Sequence, residues 1–394
     1  MDHCGSRQVR NGAALGPLLS TRGARAGPTA VSLLARLVLR RSGDERHQRH
    51  NLRLSQGKFG ELPRRLGYSH HRKPVRENHV RILFCGDCFP AARSLLKERL
   101  ADSGDEVAVC DGNGLGEALA SADVVIPLMT VLDAARIASG RFRLIQQWGS
   151  GLEGVDLHAA RARGVWVANV PATGGNADSV AEHALLLILA LLRQLPAAQA
   201  NMRAGVLGAP LGRTLAGRTV CLYGLGSTAR ALAPRLHALG VRLIGITRKP
   251  DPAKTAEFVL DECFSSSNRE KALAQTDILV LCVRLVNETR GLIDAAALKA
   301  MPAGALLVNV ARGGLIDYGA LRDALANGQL GGLGLDVFWT EPFPADDALL
   351  KFPNVIATPH VAGVTDRSYR DIADAVARNV ERLRRGEPPL NRVV

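Results

Sequence analysis

The sequence predicts an α/β protein with two doubly wound parallel sheets, and three observations lead there. From Val80 onward, short apolar or β-branched runs alternate with helix-length segments, which is the signature of βαβ units. A glycine-rich turn stands between a strand and a helix at the head of the second half. Finally, 47% hydrophobic but only 4% aromatic residues suit an Ala/Leu/Val/Gly core better than a β-sandwich.

The first series reads "VRILFCG", "EVAVCD", "DVVIPLM", "RLIQQW" and "VWVANV" as strands, with "PAARSLLKERLADSG", "GLGEALASA", "VLDAARIASG" and "DLHAARARG" as helices, ending near Pro171. A long helix is expected from about Ala177 to Gln194; it is apolar on most faces and therefore buried. After the Gly/Pro-rich "AGVLGAPLGRTLAG", the second series gives "TVCLYG", "VRLIGIT", "DILVLCV", "ALLVNVA", "GGLGLDVF" and "NVIATP" as strands. The closing "DRSYRDIADAVARNVERLRRG" is helical with no strand after it, so it must dock on something already built.

Of the 394 residues, 50 are Lys or Arg and 37 Asp or Glu, a formal charge of +13. Residues 1–78 hold 16 of the basic and 5 of the acidic residues, which leaves 34 against 32 in the body. A basic leader with few acids and a short amphipathic piece around Ala30 to Arg40 has the traits of an organellar transit peptide, plastid or mitochondrial, or of a disordered extension. If the leader is not a transit peptide, a cytoplasmic location is expected. No aromatic residues interleave with the arginines of residues 1–50, so no nucleic-acid partner is expected. The longest apolar run, "ALLLILALL" from Ala184, is about half of the ~20 residues a bilayer needs, so no membrane partner is expected either. Seven thinly spread cysteines imply a reducing compartment without a disulfide framework. Zinc would want further ligands beside the lone "CGDC", and a redox pair a helix N-terminus behind it, so Cys85 and Cys88 are expected to be plain thiols at a strand end. No metal site is expected.

A dinucleotide site is expected in "VCLYGLGSTARALAPRLHALG". Gly224 and Gly226 allow a tight turn, and with Ser227 and Thr228 they bring backbone amides to a pyrophosphate at the helix N-terminus. Ala229 replaces the third glycine of that pattern. The next strand ends in Thr247, Arg248 and Lys249, where an acid would hold the ribose of NAD. Basic side chains there suit the 2′-phosphate of NADP, which is favoured over NAD, although Asp251 could fold back. Cys282 and Val310 close two further strands at this edge and are also cofactor-binding candidates.

Arg312, Glu341 and His360 leave the C-terminal ends of successive strands, the edge where doubly wound sheets place ligands. A 2-oxo acid facing a nicotinamide calls for a guanidinium to hold its carboxylate and for a proton donor that titrates near neutrality. Arg312 can supply the first and His360 the second. Glu341, bonded to the far ring nitrogen, would favour the imidazolium. Each residue alone has an ordinary explanation as a solvated charge or turn residue, and their joint position singles them out.

The ordered set "NVARGGLIDYGAL", "GLDVFWTEP" and "TPHVAG" resembles the D-isomer-specific 2-hydroxyacid dehydrogenases, with the match running from about Val80 to the C-terminus. The resemblance implies a flavodoxin-like substrate domain (79–180 and 365–394) with a Rossmann coenzyme domain (181–364) inserted in it. It also implies that Arg312 orients the substrate, Glu341 and His360 form a proton relay, and Asp336 approaches the nicotinamide carboxamide. "QWGSGLEGVDLHAARARGVWVANVP" is similar to the family's substrate-loop segment, in which amides near Ser150 and Gly151 would hold the carboxylate; Met129 and Trp148 are candidates for lining the pocket, with a core role favoured for Trp148. "NADSVAEHALLLILALLR" is similar to the interdomain helix. The chain departs from the family pattern at Cys282 and Arg284, at Glu153 and Gly154, and in the missing acid at the ribose strand.

The expected function is therefore reduction of a small 2-oxo acid, of glyoxylate or hydroxypyruvate type, by NAD(P)H in a homodimer. Two alternatives stand beside it: a short-type phosphoglycerate dehydrogenase, the long type being disfavoured by the lack of sequence for a regulatory domain after residue 385, and a dinucleotide-sensing interaction protein like the co-repressors on this fold.

Overall fold

The computed structural model describes residues 79–171 and 175–394; the leader, and with it the expected transit peptide, lies outside the described residues. The first sheet holds β1 (Arg81–Cys85), β2 (Glu106–Cys110), β3 (Val124–Ile126), β4 (Leu144–Gln146) and β5 (Trp166–Ala168), all parallel in the order β2-β1-β3-β4-β5. Between them run α1 (Pro90–Arg99), α2 (Leu115–Ser121), α3 (Ala134–Ser139) and α4 (Leu157–Ala162). Alternate residues serve opposite faces. Ile82 and Phe84 join Leu96 of α1 in one core, whereas Leu83 and Cys85 join Leu119 and Ile137 in another. Covering both faces is what makes these strands continuous apolar runs, and hence easy to find in the sequence.

α5 (Gly175–Leu192) leads into α6 (Leu195–Arg203) and the second sheet. That sheet comprises β6 (Thr219–Tyr223), β7 (Arg242–Thr247), β8 (Glu262–Ser265), β9 (Ile278–Leu281), β10 (Ala305–Asn309), β11 (Leu330–Leu335) and β12 (Val355–Ala357), in the order β12-β11-β10-β9-β6-β7-β8. Its helices are α7 (Ser227–Ala238), α8 (Pro252–Glu257), α9 (Arg269–Leu273), α10 (Ala295–Ala300) and α11 (Tyr318–Ala326), and α12 (Asp366–Arg384) ends the chain. The order reverses direction beside β6, the position at which doubly wound sheets open a crevice for a ligand.

Two elements have no counterpart in the sequence reading. β8, "ECFS", lies at the edge with β7 as its only strand neighbour, and so carries no buried apolar alternation to read. None of the residues of α6 is buried, so it too lacks an apolar stripe. A third difference concerns the expected boundary between residues 180 and 181, which falls inside the continuous helix α5. Its faces pack on α7, β10, β11 and β12 on one side and on α12 on another. By length and composition alone this helix, 18 residues long, is apolar enough to cross a membrane, and more than half of it is buried within the fold. It exceeds the apolar run read from the sequence because Asn176, Asp178 and His183 belong to the same helix.

α12 returns to the first sheet, where Tyr369, Ile372, Val376 and Val380 pack with Phe84, Leu96 and Trp148. Buried Asn379 locks it there: its Nδ2 donates to Gln146 Oε1 at 2.7 Å and to Leu390 O at 3.1 Å, and its Oδ1 accepts from Leu390 N at 2.7 Å. At the helix end, Arg384 Nη2 forks onto both oxygens of the buried Asp105 at 2.8 and 2.6 Å. Asn379→Ala strands the carboxamide oxygen of Gln146 and should destabilise the fold by about 1–3 kcal/mol in urea unfolding.

Candidate active site

Gly224 turns the chain out of β6 with φ +98°. A Cβ there would lie 2.7 Å from Val283 N and 2.9 Å from Cys282 C, so only glycine lets the turn pass the end of β9. Gly226 caps α7 without a side-chain hydrogen bond. Ser227 and Thr228 open the helix, where backbone amides have no intrahelical acceptor, so this cradle fits a dinucleotide pyrophosphate. Ala229 is fully buried with Val220, Leu222 and Leu232, so it fills the close helix–strand contact usually given to a third glycine. Cys282 follows β9, and Val310 follows β10 with its side chain buried in the same core.

Thr247 ends β7, and with Arg248, Lys249 and Lys254 it lines a recess at the sheet edge. Asp251 Oδ1 accepts from Lys254 N at 2.9 Å, which makes it the N-cap of α8. The carboxylate that could have folded back towards the ribose position is thereby used at the helix start.

Arg312, Glu341 and His360 follow β10, β11 and β12 at this edge. His360 Nδ1 and Glu341 Oε2 are 2.6 Å apart, and Glu341 Oε1 accepts from Phe338 N at 2.9 Å. Burial pushes the Glu341 carboxyl up, but the hydrogen bond and charge of His360, the Phe338 amide and Arg312 outweigh it and hold the group below its ordinary 4.5. The opposite lobe contributes Phe89, whose ring meets His360 edge-on at 5.6 Å between centroids.

Asp336 directly follows β11. Expected at the nicotinamide, it is 1% exposed and buried beneath the His360 loop. Its Oδ1 accepts from Val361 N at 2.8 Å and from Thr358 Oγ1 at 2.6 Å, and its Oδ2 accepts from Ala362 N at 2.8 Å. His183 Nε2 of α5 reaches Thr358 Oγ1 at 2.8 Å. His360 itself holds φ +53°, a region a histidine occupies only when its surroundings insist, and Asp336 binds the two amides that follow it. Asp336 is thus a positioning residue on the evidence of its contacts.

The Arg312 loop is set by buried Asn309, whose Nδ2 donates to Arg312 O at 2.8 Å and whose Oδ1 accepts from Ala311 N at 3.0 Å. The guanidinium donates through Nη1 to Ala311 O at 2.7 Å and through Nε to Glu153 Oε1 at 3.2 Å. Gly151 therefore faces Arg312 from the loop after β4, where Asn169 Nδ2 holds Ser150 O at 2.8 Å. Met129 is exposed on the loop after β3, whereas Trp148 is buried between Phe84 and Tyr369, with ring centroids at 6.0 and 5.8 Å. Phe89, Asn309, His183 and Thr358 went unread as site residues, because none carries a charge or spacing that marks it.

As the reading of "PAARSLLKERLADSG" expects, a helix follows the "CGDC", since α1 begins at Pro90. Burial nonetheless pushes the Cys85 thiol up to about 12, so it is not poised as a thiolate. Among the described residues no group of three or more His, Cys, Asp or Glu is arranged to hold a metal ion.

The family model of the D-isomer specific 2-hydroxyacid dehydrogenase NAD binding domain matches residues 185–362. Over 285 residues the chain is 33% identical to a glyoxylate reductase of Korarchaeum cryptofilum, covering 70% of this chain and 84% of that protein. The chain belongs to the D-isomer-specific 2-hydroxyacid dehydrogenases. Within that family it is also 36% identical over 300 residues to a D-3-phosphoglycerate dehydrogenase of Mycobacterium bovis, covering 72% of this chain and 56% of that protein. It therefore spans little more than half the length of that dehydrogenase. The crystallised pyruvate reductase of Chlamydomonas reinhardtii is similar with a TM-score of 0.69 at 29% identity, covering 80% of this chain and 98% of that one. The two parallel-sheet domains and the Gly224 turn are those of a 2-hydroxyacid dehydrogenase.

Because the folded-state pKa of Glu341 lies below 4.5, its stabilising effect is present above pH 4.5 and is lost as the pH falls below that value towards the folded pKa. The Tm difference between the native chain and Glu341→Gln should therefore be largest above pH 4.5 and shrink below it. Asp336→Asn sets an amide donor against one of the two backbone amides that the carboxylate accepts from and should cost about 2–4 kcal/mol, measured by denaturant unfolding.

Proposed function

We propose that this dehydrogenase reduces a small 2-oxo acid of the glyoxylate or hydroxypyruvate type to the D-2-hydroxy acid, using NADPH in preference to NADH. The observation that carries the reading is the 2.6 Å His360–Glu341 hydrogen bond, which shares one sheet edge with Arg312 and the Gly224 turn. When bound, the nicotinamide coenzyme supplies the hydride.

Arg312 orients the substrate carboxylate and draws electron density from the neighbouring carbonyl. His360 has Nδ1 engaged by Glu341, so Nε2 is the nitrogen that gives a proton to the nascent alkoxide. Glu341 accepts from Nδ1 and keeps the ring in its tautomer and plane, while Phe89 rests against the ring from the other lobe. Arg248, Lys249 and Lys254 around one recess, with Asp251 occupied as a helix cap, support recognition of a 2′-phosphate.

The similarity to a phosphoglycerate dehydrogenase favours a second reading, in which 3-phosphohydroxypyruvate is the substrate. Steady-state assays of the full chain with NADPH and NADH against glyoxylate, hydroxypyruvate, pyruvate and 3-phosphohydroxypyruvate separate the two. His360→Ala should lower kcat by about 10²–10⁴-fold. Arg248→Ala with Lys249→Ala should raise KM for NADPH about tenfold and leave KM for NADH nearly unchanged. Best turnover of phosphohydroxypyruvate would select the second reading, and coenzyme binding without reduction of any 2-oxo acid would leave the interaction protein.

A further inference from the structure

Among the described residues, the one side-chain ion pair on the proposed substrate clamp comes from the other lobe. Arg312 Nε donates to Glu153 Oε1 at 3.2 Å, joining the loop after β10 to the loop after β4. The two side chains are 33% and 43% exposed, so water screens the pair and an incoming anion can displace it. The loop is shaped around the contact. A Cβ at Gly151 would overlap both Arg312 Nη2 and Glu153 Oε2, so the space beside the expected carboxylate-holding amides is filled by the two charged groups.

A substrate carboxylate that reaches Arg312 must take over, or share, the guanidinium edge that Glu153 now holds. Glu153 sits on the same short loop as Ser150 and Gly151, so once displaced it remains within a few residues' reach of the bound molecule. Arg312 also acts on the charge of Glu341, so a single guanidinium already faces two carboxylates before any ligand arrives. One further negative charge replaces Glu153 at the cation. A second one, carried on the substrate at C3, meets Glu153 as a like charge.

We infer that Glu153 is a specificity-determining residue that makes the site select 2-oxo acids with a single negative charge over those carrying a second anionic group at C3. The inference rests on the reading of Arg312 as substrate clamp. It deepens that reading by naming the substrate class: a neutral C3 substituent, best a hydroxyl that can donate a hydrogen bond to the displaced carboxylate. Phosphate and carboxylate at C3 are disfavoured. Because Glu153 competes with substrate for Arg312, it also weakens the binding of every anion.

The test compares the full chain with Glu153→Gln and Glu153→Ala, each checked for an unchanged far-ultraviolet circular dichroism spectrum. Turnover is measured for hydroxypyruvate against 3-phosphohydroxypyruvate and oxaloacetate. Binding is measured by calorimetry, in the presence of coenzyme, for D-glycerate against tartronate, a nearly isosteric pair that differs by one charge at C3. Both substitutions should raise the dianion-to-monoanion ratio of kcat/KM, and the tartronate-to-glycerate ratio of affinities, by about tenfold, and should lower KM for hydroxypyruvate. A merely structural Glu153 would change all the substrates together. Ratios unchanged within twofold overturn the inference. If no 2-oxo acid is reduced, the proposed function fails, and the binding ratio still decides the role of Glu153.

Discussion

A carboxylate almost wholly removed from water has to be paired or hydrogen-bonded, and the way Asp336 meets that demand organises the catalytic edge. It closes β11 and collects the amides of Val361 and Ala362 and the hydroxyl of Thr358. Those donors belong to the segment after β12, so satisfying one buried charge ties two neighbouring strand exits together. His360 lies inside the tied segment and adopts a left-handed backbone that an unconstrained loop would avoid. His183, projecting from α5, reaches Thr358 and couples the same knot to the long helix shared by both lobes. The imidazole is therefore held by the core rather than by a free-standing loop.

A parallel sheet brings chemistry from distant parts of the chain to one line. Five of the seven strand exits of the second sheet carry a candidate site group: Gly224 at the turn after β6, Thr247 and the cations beyond it after β7, Arg312 after β10, then Glu341, then His360. The strands themselves carry no function beyond their apolar faces. The first sheet answers with two loops, one bearing Phe89 against His360 and one bearing Glu153 against Arg312. The candidate site thus lies where the two lobes meet, and α12, anchored by Asn379 and Arg384, keeps the first lobe closed on itself although its strands come from the other end of the chain.

Most of this was legible in the sequence because buried parallel strands leave an unmistakable trace. Eleven of the strands are apolar runs separated by helix-length segments, and their order, with the Gly224 turn at the head of the second series, implies two doubly wound sheets. β8 and α6 left no trace, since neither presents a continuous apolar face to a core. Arg312, Glu341 and His360 were visible for a different reason: each is a charged or titratable residue directly after a strand, and only one edge of a parallel sheet can collect all three.

Residue identity along the chain was therefore enough to determine the fold class and to point to the Gly224 turn and the polar triple as candidates, because periodicity and strand direction are local properties. Partnership was decided only in three dimensions. That Asp336 serves backbone amides, that Asp251 caps a helix, that Asn309 shapes the arginine loop and that Glu153 reaches Arg312 across 159 positions are consequences of which groups burial brings within hydrogen-bonding distance. A carboxylate in a sequence states what it can accept, and the packing around it decides from whom.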